Sequence, residues 1–342
     1  MHHSPSPDLN LQVRLACRPK GRPVLADFQF TSEPLPIPAD GQLLVRHEWL
    51  SLDPYMRGRM ADTPSYAPPL ELGAVMLGGT VGVVQASKHS NYAPGDLVLG
   101  MGGWQAYSLA DAQGPAAPLK LERSEVPAFA YLGALGMPGI TAWYGLTQLL
   151  RLSPGQTLLV SGATGAVGSV VGQLARARGL RAVGLAGGAH KCAHAVQQLG
   201  YEACVDYRDG PDAMLQGLRQ ACPDGVQGIF ENVGGALLDA ALQLASPHAR
   251  IALCGAMAGY NGEPIPLAAP QLLLTKRIGL QGFIITEHLP LWPQARQELL
   301  ALWRQGQLQQ HSTIVDGLEQ APEAFIGMLQ GQHLGKLLVR LT

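Results

Sequence analysis

A glycine-rich turn between an apolar run and a helical stretch is the clearest chemical signal in the sequence. The run 157–161 predicts a buried strand, and the glycines that follow it are spaced G-x-x-G-x-x-G. Glycine lets a backbone turn tightly and approach a pyrophosphate, whose charge is met by the N-terminus of the next helix. A glycine triplet alone also suits a plain strand-to-helix corner, but the flanking strand, the helix and a second strand favour a dinucleotide. The residues predicted to bind it are Gly162, Gly165, Ala166, Val167 and Gly168.

The residues after this turn bear on which nicotinamide dinucleotide fits. A site that prefers NAD carries Asp or Glu about 20 residues beyond the glycines, where the carboxylate binds the ribose hydroxyls. Here that neighbourhood, 185–189, reads Leu-Ala-Gly-Gly-Ala without an acid, and Lys191 follows it. An exposed lysine is ordinary, but a lysine beside small residues can bind the 2'-phosphate of NADPH. The sequence therefore predicts NADPH as the cofactor.

The cysteines and histidines predict neither a disulfide framework nor a metal site. The chain has five cysteines, an odd number, and no pair has C-x-x-C spacing. His190, Cys192 and His194 form one short run, but on a helix the two histidines would share a face from which the cysteine points away. The first five residues have neither the basic nor the apolar stretch of a secretory signal, so we expect a reducing cytoplasm.

Alternating strands and helices are predicted from about residue 136 onward. Strands are expected at 157–161, 181–186, 203–206, 228–231, 250–254 and 279–285, and helices at 166–178, 190–199 and 293–305. Within 166–178 the apolar residues recur at the spacing of one helix face. Such alternation is typical of a doubly wound parallel sheet.

The first 135 residues have a different sequence pattern, because prolines and glycines separate short apolar runs. Strands are expected at 43–52, 78–84 and 96–99, which predicts an all-β, barrel-like region. The tail ends in another strand-like run at 336–341 and is expected to return to this first domain.

Composition argues against two classes of partner. The chain has 342 residues, enough for about two domains. With 24 Lys and Arg against 25 Asp and Glu, it lacks the basic surface that a nucleic acid would require. No apolar run approaches the roughly 18–20 residues of a membrane span, so no membrane partner is expected.

Several motifs in a fixed order together resemble one protein family. The stretch 51–60 reads Ser-Leu-Asp-Pro-Tyr-Met-Arg-Gly-Arg-Met, and further matching segments are 18–23, 137–142, 161–168, 187–192, 231–235 and 260–261. These segments are similar to those of zinc-free reductases in the medium-chain dehydrogenase/reductase superfamily. That family includes leukotriene B4 12-hydroxydehydrogenase, the prostaglandin reductases and the NADPH-dependent alkenal double-bond reductases. The resemblance covers nearly the whole chain.

The resemblance implies an α/β fold with a GroES-like β-barrel catalytic domain and a Rossmann domain with a doubly wound parallel sheet. The catalytic domain is expected at 1–135 and the Rossmann domain at 136–302, and 303–342 is expected to return to the catalytic domain. A homodimer joined through the edge strands of two Rossmann sheets is also implied. Zinc is not expected, because the strand 78–82 lacks the His-Glu pair of zinc-dependent relatives and no cysteine lies between Cys17 and Cys192.

The same resemblance implies roles for individual residues. Lys191 and Tyr207 match a pair that holds the 2'-phosphate, while Tyr260 and Tyr55 match tyrosines on the substrate side. For both substrate-side tyrosines the alternative is a structural role in the core. Further cofactor contacts are implied for Thr141, Asn232, Cys254 and Phe283. His333 stands where the family has Asn, so its imidazole either meets a phosphate or the contact is lost.

Without a metal to polarise a carbonyl, hydride transfer needs an acceptor that is already electrophilic, and an alkene conjugated to a carbonyl fits. The resemblance implies an NADP-dependent oxidoreductase that reduces the carbon–carbon double bond of α,β-unsaturated aldehydes and ketones, with hydride added to the β-carbon. A quinone oxidoreductase of the same superfamily is one alternative. A non-catalytic redox sensor that binds NADPH is another, because fold alone does not fix function.

Overall fold

The computed structural model describes residues 9–341, which form two compact units. Unit 1 holds the chain up to Leu132, Ser312–His333 and the chain from Leu337, whereas unit 2 holds Gly133–His311 and Leu334–Lys336. The sequence predicts the division after residues 135 and 302, so unit 2 extends further along the chain than expected. Within unit 2, the Gln173 side-chain amide donates to the Gln309 carbonyl (2.9 Å) and accepts from the Gln309 N–H (2.8 Å).

The strands and helices follow one another along the chain with short connections. The strands are β1 (Leu9–Leu15), β2 (Phe28–Pro34), β3 (Gln42–Ser51), β4 (Thr80–Ser87), β5 (Leu97–Gly100), β6 (Tyr107–Asp111), β7 (Leu119–Leu121), β8 (Thr157–Ser161), β9 (Arg181–Ala186), β10 (Ala203–Asp206), β11 (Val226–Glu231), β12 (Ala245–Leu253), β13 (Gly279–Gly282), β14 (Ser312–Asp316) and β15 (Lys336–Arg340). The α-helices are α1 (Tyr55–Arg59), α2 (Met137–Tyr144), α3 (Gly168–Ala177), α4 (Ala189–Gln198), α5 (Pro211–Ala221), α6 (Ala236–Leu244), α7 (Gln271–Thr275), α8 (Trp292–Arg304) and α9 (Ala321–Leu329).

Unit 1 is built mainly on antiparallel strands. Its larger sheet has the order β14-β15-β3-β4-β5-β7, with β6 also paired to β3, and β1 and β2 form a separate pair. An aromatic cluster lies in its core, where the rings of Phe28 and Trp104 stack at 5.7 Å and Phe325 of α9 meets Trp104 edge-on at 5.6 Å. Large aromatic side chains supply much of the apolar area that such a core buries. The predicted β-rich domain is confirmed, while closure of its sheet into a barrel stays a prediction.

Unit 2 contains a six-stranded sheet in which every neighbouring pair is parallel. Its order is β10-β9-β8-β11-β12-β13. Counted from β8 as the first strand, this order is 3-2-1-4-5-6, the arrangement of doubly wound dinucleotide-binding sheets. The predicted Rossmann-type sheet is therefore confirmed. The order reverses between β8 and β11, and in such sheets the ligand crevice opens at this reversal, beyond the carboxyl ends of the strands.

Most predicted elements of unit 2 are confirmed, but two strands are wrong in extent. Strands at 157–161, 181–186 and 203–206 match β8, β9 and β10. The strand predicted at 279–285 ends at Gly282, because the Glu287 N–H donates to the Ile284 carbonyl (3.0 Å) and the chain turns into a 3-10 helix. The strand predicted at 250–254 already begins at Ala245, which pairs with Val226 before a bulge shifts the register. Within residues 9–341, no helix is both long and apolar enough to cross a membrane.

Candidate active site

Four residues singled out in the sequence lie at one edge of the unit 2 sheet. Gly162 follows β8, Tyr207 follows β10, Asn232 follows β11 and Cys254 follows β12. Because the six strands are parallel, their carboxyl ends share this edge, which is where the ligand crevice of such a sheet opens. Two groups of residues can be distinguished. The switch-point cluster comprises Ser161, Glu231, Asn232 and Cys254, and the phosphate corner comprises Gly187, Gly188, Lys191, Tyr207 and Arg208.

The glycine turn after β8 packs so closely that only glycine fits at its critical positions. Gly162 has a φ of +61°, a left-handed conformation that glycine adopts without strain. A methyl group on Gly168, where α3 begins, would collide with the Gly162 carbonyl oxygen and the backbone of Ala163. The turn comprises the predicted residues Gly162, Gly165, Ala166, Val167 and Gly168. A tight turn that leads directly into a helix N-terminus suits a pyrophosphate.

Glu231 organises the neighbouring turn from a fully buried position. One carboxylate oxygen accepts hydrogen bonds from the Ser161 hydroxyl, the Val233 N–H (2.7 Å) and the Gly234 N–H (2.8 Å). Burial raises the pKa of Glu231 above its usual range, although these hydrogen bonds oppose the shift. The carboxyl group therefore holds the chain after β11 in shape and is withdrawn from solvent.

Asn232 and Cys254 complete the switch-point cluster. The Asn232 amide donates to the Ser161 carbonyl (2.6 Å), and its oxygen accepts from the Cys254 thiol (3.0 Å). Burial and the nearby Glu231 raise the pKa of the Cys254 thiol, so this group stays neutral at ordinary pH. Both side chains are thus engaged with the ends of neighbouring strands. Their contacts with a cofactor stay a prediction.

Two cations meet in the phosphate corner. A methyl group on Gly187 would lie 2.5 Å from the Tyr207 hydroxyl and 3.0 Å from Nε of Arg208, and one on Gly188 would lie 3.6 Å from Arg208 Nη1. Lys191 lies in the first turn of α4. Its pKa is lowered by burial and by the charge of Arg208. Two neighbouring cations repel each other, and a phosphate dianion would relieve that repulsion.

Arg208 is the residue of the phosphate corner that the sequence reasoning missed. The rule that distinguishes NAD from NADPH sites concerns the residues after the second strand of the sheet. Arg208 follows the third strand. Asp206 fixes its backbone, because one carboxylate oxygen accepts from the Arg208 N–H (2.9 Å) and from the Gly188 N–H (2.8 Å). The segment Asp-Tyr-Arg, which begins at the last residue of the predicted strand 203–206, was the signal that could have located it.

An apolar cavity of about 280 Å³ lies at the same sheet edge, beside the phosphate corner. Its lining includes Tyr207, Pro211, Met214, Val233, Leu237 and Ala258. A flat heteroaromatic ring such as adenine suits an apolar cleft of this kind, and the phosphate corner would then meet the attached ribose. The tight turn, the paired cations and this cavity together fit a dinucleotide that carries a 2'-phosphate.

Three further predicted residues lie in unit 2. Thr141 is buried in α2 and its hydroxyl donates to the Met137 carbonyl (2.7 Å). Phe283 follows β13, its N–H donates to the Leu253 carbonyl (3.2 Å), and its ring is buried. Tyr260 is half-buried at the end of a short 3-10 helix. The roles of these three residues at cofactor or substrate stay predictions.

Two predicted residues, Tyr55 and His333, belong to unit 1. Tyr55 begins α1, packs against the apolar core of that unit, and burial raises the pKa of its phenol above the usual range. His333 shares a 3.0 Å hydrogen bond with the Ala324 carbonyl, in which the imidazole Nε2–H donates. The role of each at a substrate or cofactor stays a prediction.

The histidines near the phosphate corner are not arranged as a metal site. The His194 ring packs edge-on against His311 at 4.8 Å, and burial lowers the pKa of both imidazoles. Across residues 9–341, no group of three or more His, Cys, Asp or Glu side chains is placed to hold a metal ion.

Comparison with known proteins relates almost the whole chain to one family. Residues 11–117 match the family described as N-terminal domain of oxidoreductase, and residues 166–303 match the family described as zinc-binding dehydrogenase. The chain is 43% identical over 336 residues to the NADPH-dependent curcumin reductase of Escherichia coli (strain K12), covering 96% of each chain. It is 35% identical over 323 residues to prostaglandin reductase 1 of Bos taurus, covering 94% of this chain and 95% of that one.

A solved structure agrees with these sequence relationships. The crystal structure of CurA from Vibrio vulnificus in complex with NADPH superimposes with a TM-score of 0.91 at 40% identity, covering 97% of this chain and 99% of that one. The chain is therefore an oxidoreductase that belongs to the medium-chain dehydrogenase/reductase family, within the branch that holds the curcumin and prostaglandin reductases.

Proposed function

We propose that this protein uses NADPH to reduce the carbon–carbon double bond of α,β-unsaturated aldehydes and ketones. The observation that carries the proposal is the phosphate corner, where Arg208 lies beside Gly187 and Gly188 and its charge acts on Lys191. The chain that holds this corner is 43% identical to an NADPH-dependent curcumin reductase. The cation pair favours NADPH over NADH because only NADPH carries a phosphate on the adenosine ribose.

Electrostatics and positioning are what the chain contributes to such a reaction. NADPH supplies the hydride, which adds to the β-carbon while negative charge moves to the carbonyl oxygen and a proton then adds at the α-carbon. The glycine turn binds the pyrophosphate of the cofactor. The phosphate corner binds the 2'-phosphate on its adenosine ribose. The switch-point cluster keeps the strand ends rigid, so that the bound dinucleotide has a fixed position relative to a substrate.

Tyr260 is proposed to donate a hydrogen bond to the carbonyl oxygen of the substrate. A phenol can stabilise a developing enolate while its ring offers apolar surface to an alkenyl chain. Tyr55 is proposed as a second pocket tyrosine, and the raised pKa keeps its phenol a hydrogen-bond donor at ordinary pH.

We also propose that the reaction needs no zinc. The family match at residues 166–303 carries the description zinc-binding dehydrogenase. This sequence, however, has no cysteine between Cys17 and Cys192 and therefore lacks the closely spaced cysteine lobe that holds a structural zinc. A reducing, cytoplasmic setting is part of the proposal, and it rests on the odd number of cysteines and the lack of C-x-x-C spacing in the sequence.

A homodimer through β13 is part of the proposal. All four residues of this edge strand, Gly279–Gly282, are exposed, and Leu280 exposes 38% of its surface. An exposed edge offers unpaired backbone groups to a second strand, so two copies can join their sheets into one. Sedimentation equilibrium should give twice the chain mass, and a monomer at micromolar concentration would contradict this part.

The test of the activity is steady-state turnover with a small panel of acceptors. The panel holds a medium-chain 2-alkenal, a cyclic enone, a quinone and a saturated aldehyde, each assayed with NADPH and with NADH. We expect NADPH to be consumed with the alkenal and the enone, and mass spectrometry to identify the saturated carbonyl as product. The same assay after dialysis against a chelator should give unchanged rates.

The rival functions give different outcomes in this assay. Turnover of the quinone alone would assign the protein to the quinone oxidoreductases. Tight NADPH binding without turnover of any acceptor would favour a redox sensor. Equal rates with NADH and NADPH would refute the role of the phosphate corner while leaving the double-bond reduction intact.

A further inference from the structure

A three-residue segment near the C-terminal end of the chain is hydrogen-bonded to the glycine turn. Leu334–Lys336 belongs to unit 2, although the chain before and after it belongs to unit 1. The Gly335 N–H donates to the Thr164 carbonyl (2.8 Å), and Gly335 forms a parallel β-bridge with Gly165. We call Leu334–Lys336 the strap.

The strap fixes one peptide group of the glycine turn from both sides. The N–H of this group, on Gly165, donates to the Gly162 carbonyl (3.0 Å), and its carbonyl, on Thr164, accepts from Gly335. Because a trans peptide is planar and its N–H and C=O point in opposite directions, the two bonds together prevent its rotation. Thr164 is buried, so water is a poor substitute for the Gly335 donor.

The backbone groups that follow this peptide are arranged for an anion. The Gly165 carbonyl accepts from the Ser169 N–H (2.9 Å), so it is engaged within the protein. In the described part of the chain, by contrast, the N–H groups of Ala166, Val167 and Gly168 have no acceptor. Free N–H groups at the start of a helix are the donors that bind a phosphate. They come directly after the fixed peptide, so its orientation sets theirs.

The strap is itself anchored to the helix that the glycine turn begins. The Lys336 N–H donates to the His311 carbonyl (2.8 Å). Two residues before His311, both backbone groups of Gln309 are bonded to the buried side chain of Gln173, on α3. Hydrogen bonds and chain thus form a closed ring from the glycine turn through α3, Gln309 and the strap back to the turn. The strap therefore has a fixed position relative to α3.

We propose that Gly335 is a positioning residue for the cofactor, because its N–H holds the glycine turn in the conformation whose free N–H groups bind the pyrophosphate. The inference rests on the proposed binding of NADPH. A turn that is already fixed before the cofactor arrives loses less conformational freedom on binding. NADPH and NADH share the pyrophosphate, so the strap acts equally on both, whereas Lys191 acts on NADPH alone.

The chain offers a matched pair of glycines for the test. Gly335 has a φ of +69°, a left-handed conformation in which an alanine is strained. Gly331 has nearly the same conformation, with a φ of +68°, and a methyl group there would meet no atom within 4 Å. Gly331 belongs to unit 1. Gly331→Ala therefore imposes the same backbone strain outside unit 2.

The test measures dissociation constants of the full-length protein for NADPH and NADH by titration calorimetry, without any acceptor. We expect Gly335→Ala to raise both constants by the same factor, about fivefold, and Gly331→Ala to change neither. Gly335→Asn should raise them less, because asparagine adopts positive φ more readily than alanine. Adenosine 2'-monophosphate carries the 2'-phosphate without the pyrophosphate, so its dissociation constant should be the same in Gly335→Ala and the unchanged protein.

Several results would overturn the proposal. Unchanged constants for both cofactors in folded Gly335→Ala, or an equal rise in Gly331→Ala, would refute the positioning role. A rise confined to NADPH, or weaker binding of adenosine 2'-monophosphate, would assign the effect to the phosphate corner.

The measurement also separates this inference from the proposed function. Thermal unfolding shows whether each variant is folded, and if Gly335→Ala is not, Gly335→Asn decides by the same criteria. Because no turnover is needed, a protein that binds both cofactors but reduces no alkenal would contradict the proposed function and leave the role of Gly335 intact. A wild-type protein that binds neither cofactor would refute both.

Discussion

The switch-point cluster and the phosphate corner lie at the same edge of one sheet, yet they handle charge in opposite ways. In the cluster, the carboxylate of Glu231 is fully buried and accepts from the Ser161 hydroxyl and two backbone N–H groups. In the corner, two cations lie close enough that Arg208 lowers the pKa of Lys191. In the cluster, protein donors hold one oxygen of a buried carboxylate, whereas in the corner neighbouring positive charges favour an added anion.

This difference separates what shapes the site from what recognises a ligand. A buried acceptor with several donors contributes strongly to the free energy of unfolding, because its removal leaves those donors buried without an acceptor. A pair of neighbouring cations contributes little or is unfavourable until an anion binds. Substitutions in the cluster should therefore appear mainly in stability, and substitutions in the corner mainly in cofactor affinity.

The largest effect is expected from Glu231→Ala. The change leaves the Ser161 hydroxyl and the N–H groups of Val233 and Gly234 without their acceptor, at a cost of at least about 3 kcal/mol in the free energy of unfolding. Glu231→Gln is the matched control, because its amide oxygen can still accept those bonds, and it should lose less than half as much. Urea unfolding measures both. A loss below about 1 kcal/mol for Glu231→Ala would contradict the structural role of the cluster.

The next effect is expected from Lys191→Ala, which should raise the KM for NADPH about tenfold because a charge-assisted contact with the phosphate is lost. The KM for NADH and the unfolding midpoint should change little, and Lys191→Arg should retain most of the affinity. Steady-state kinetics with both cofactors measure this. An equal loss with NADH would show that Lys191 acts on the fold, as Glu231 does, and the comparison would fail.

The two regions also differ in how far the sequence could predict them. The glycine turn is local, so a pattern within eleven residues, 158–168, carries its chemistry. Ser161 and Glu231 are 70 residues apart and meet only because β8 and β11 are parallel neighbours. Strand pairing of this kind depends on the whole sheet, so the bond between them could not be predicted from sequence spacing.

The accuracy of the predicted strand ends depended on how deeply each strand is buried. Strand β8 is buried at every residue and has the apolar run 158–160 at its centre, whereas β13 is exposed at every residue and its apolar content does not mark its end. Arg208 was missed for another reason: the group that binds the adenosine ribose is expected at the end of the second strand. The sequence pattern thus predicted Lys191, whereas Arg208 was identified only in the structure.

A smaller effect is expected from Arg208→Gln, about fivefold on the KM for NADPH, because Arg208 is the outer of two cations that share one phosphate. Its removal also relieves Lys191 of a like charge, so the double variant with Lys191→Ala should lose less NADPH affinity than the sum of the two single losses. A double-mutant cycle on NADPH affinity measures this coupling. Strict additivity would show that the two cations do not share a ligand.

The smallest effect is a shift in the pH dependence of kcat/KM for NADPH, which reports ionisations of the free enzyme. Burial and Arg208 lower the pKa of Lys191, and only its protonated form attracts the phosphate, so kcat/KM falls as pH rises through that pKa. In Arg208→Gln one of the two causes is gone, the pKa of Lys191 rises, and the fall should move to higher pH. The ratio of kcat/KM for NADPH to that for NADH, followed from about pH 7.5 to 10, cancels ionisations common to both cofactors. A fall at the same or a lower pH in the variant would mean that the two cations do not interact, and the contrast with the switch-point cluster would then rest on Lys191 alone.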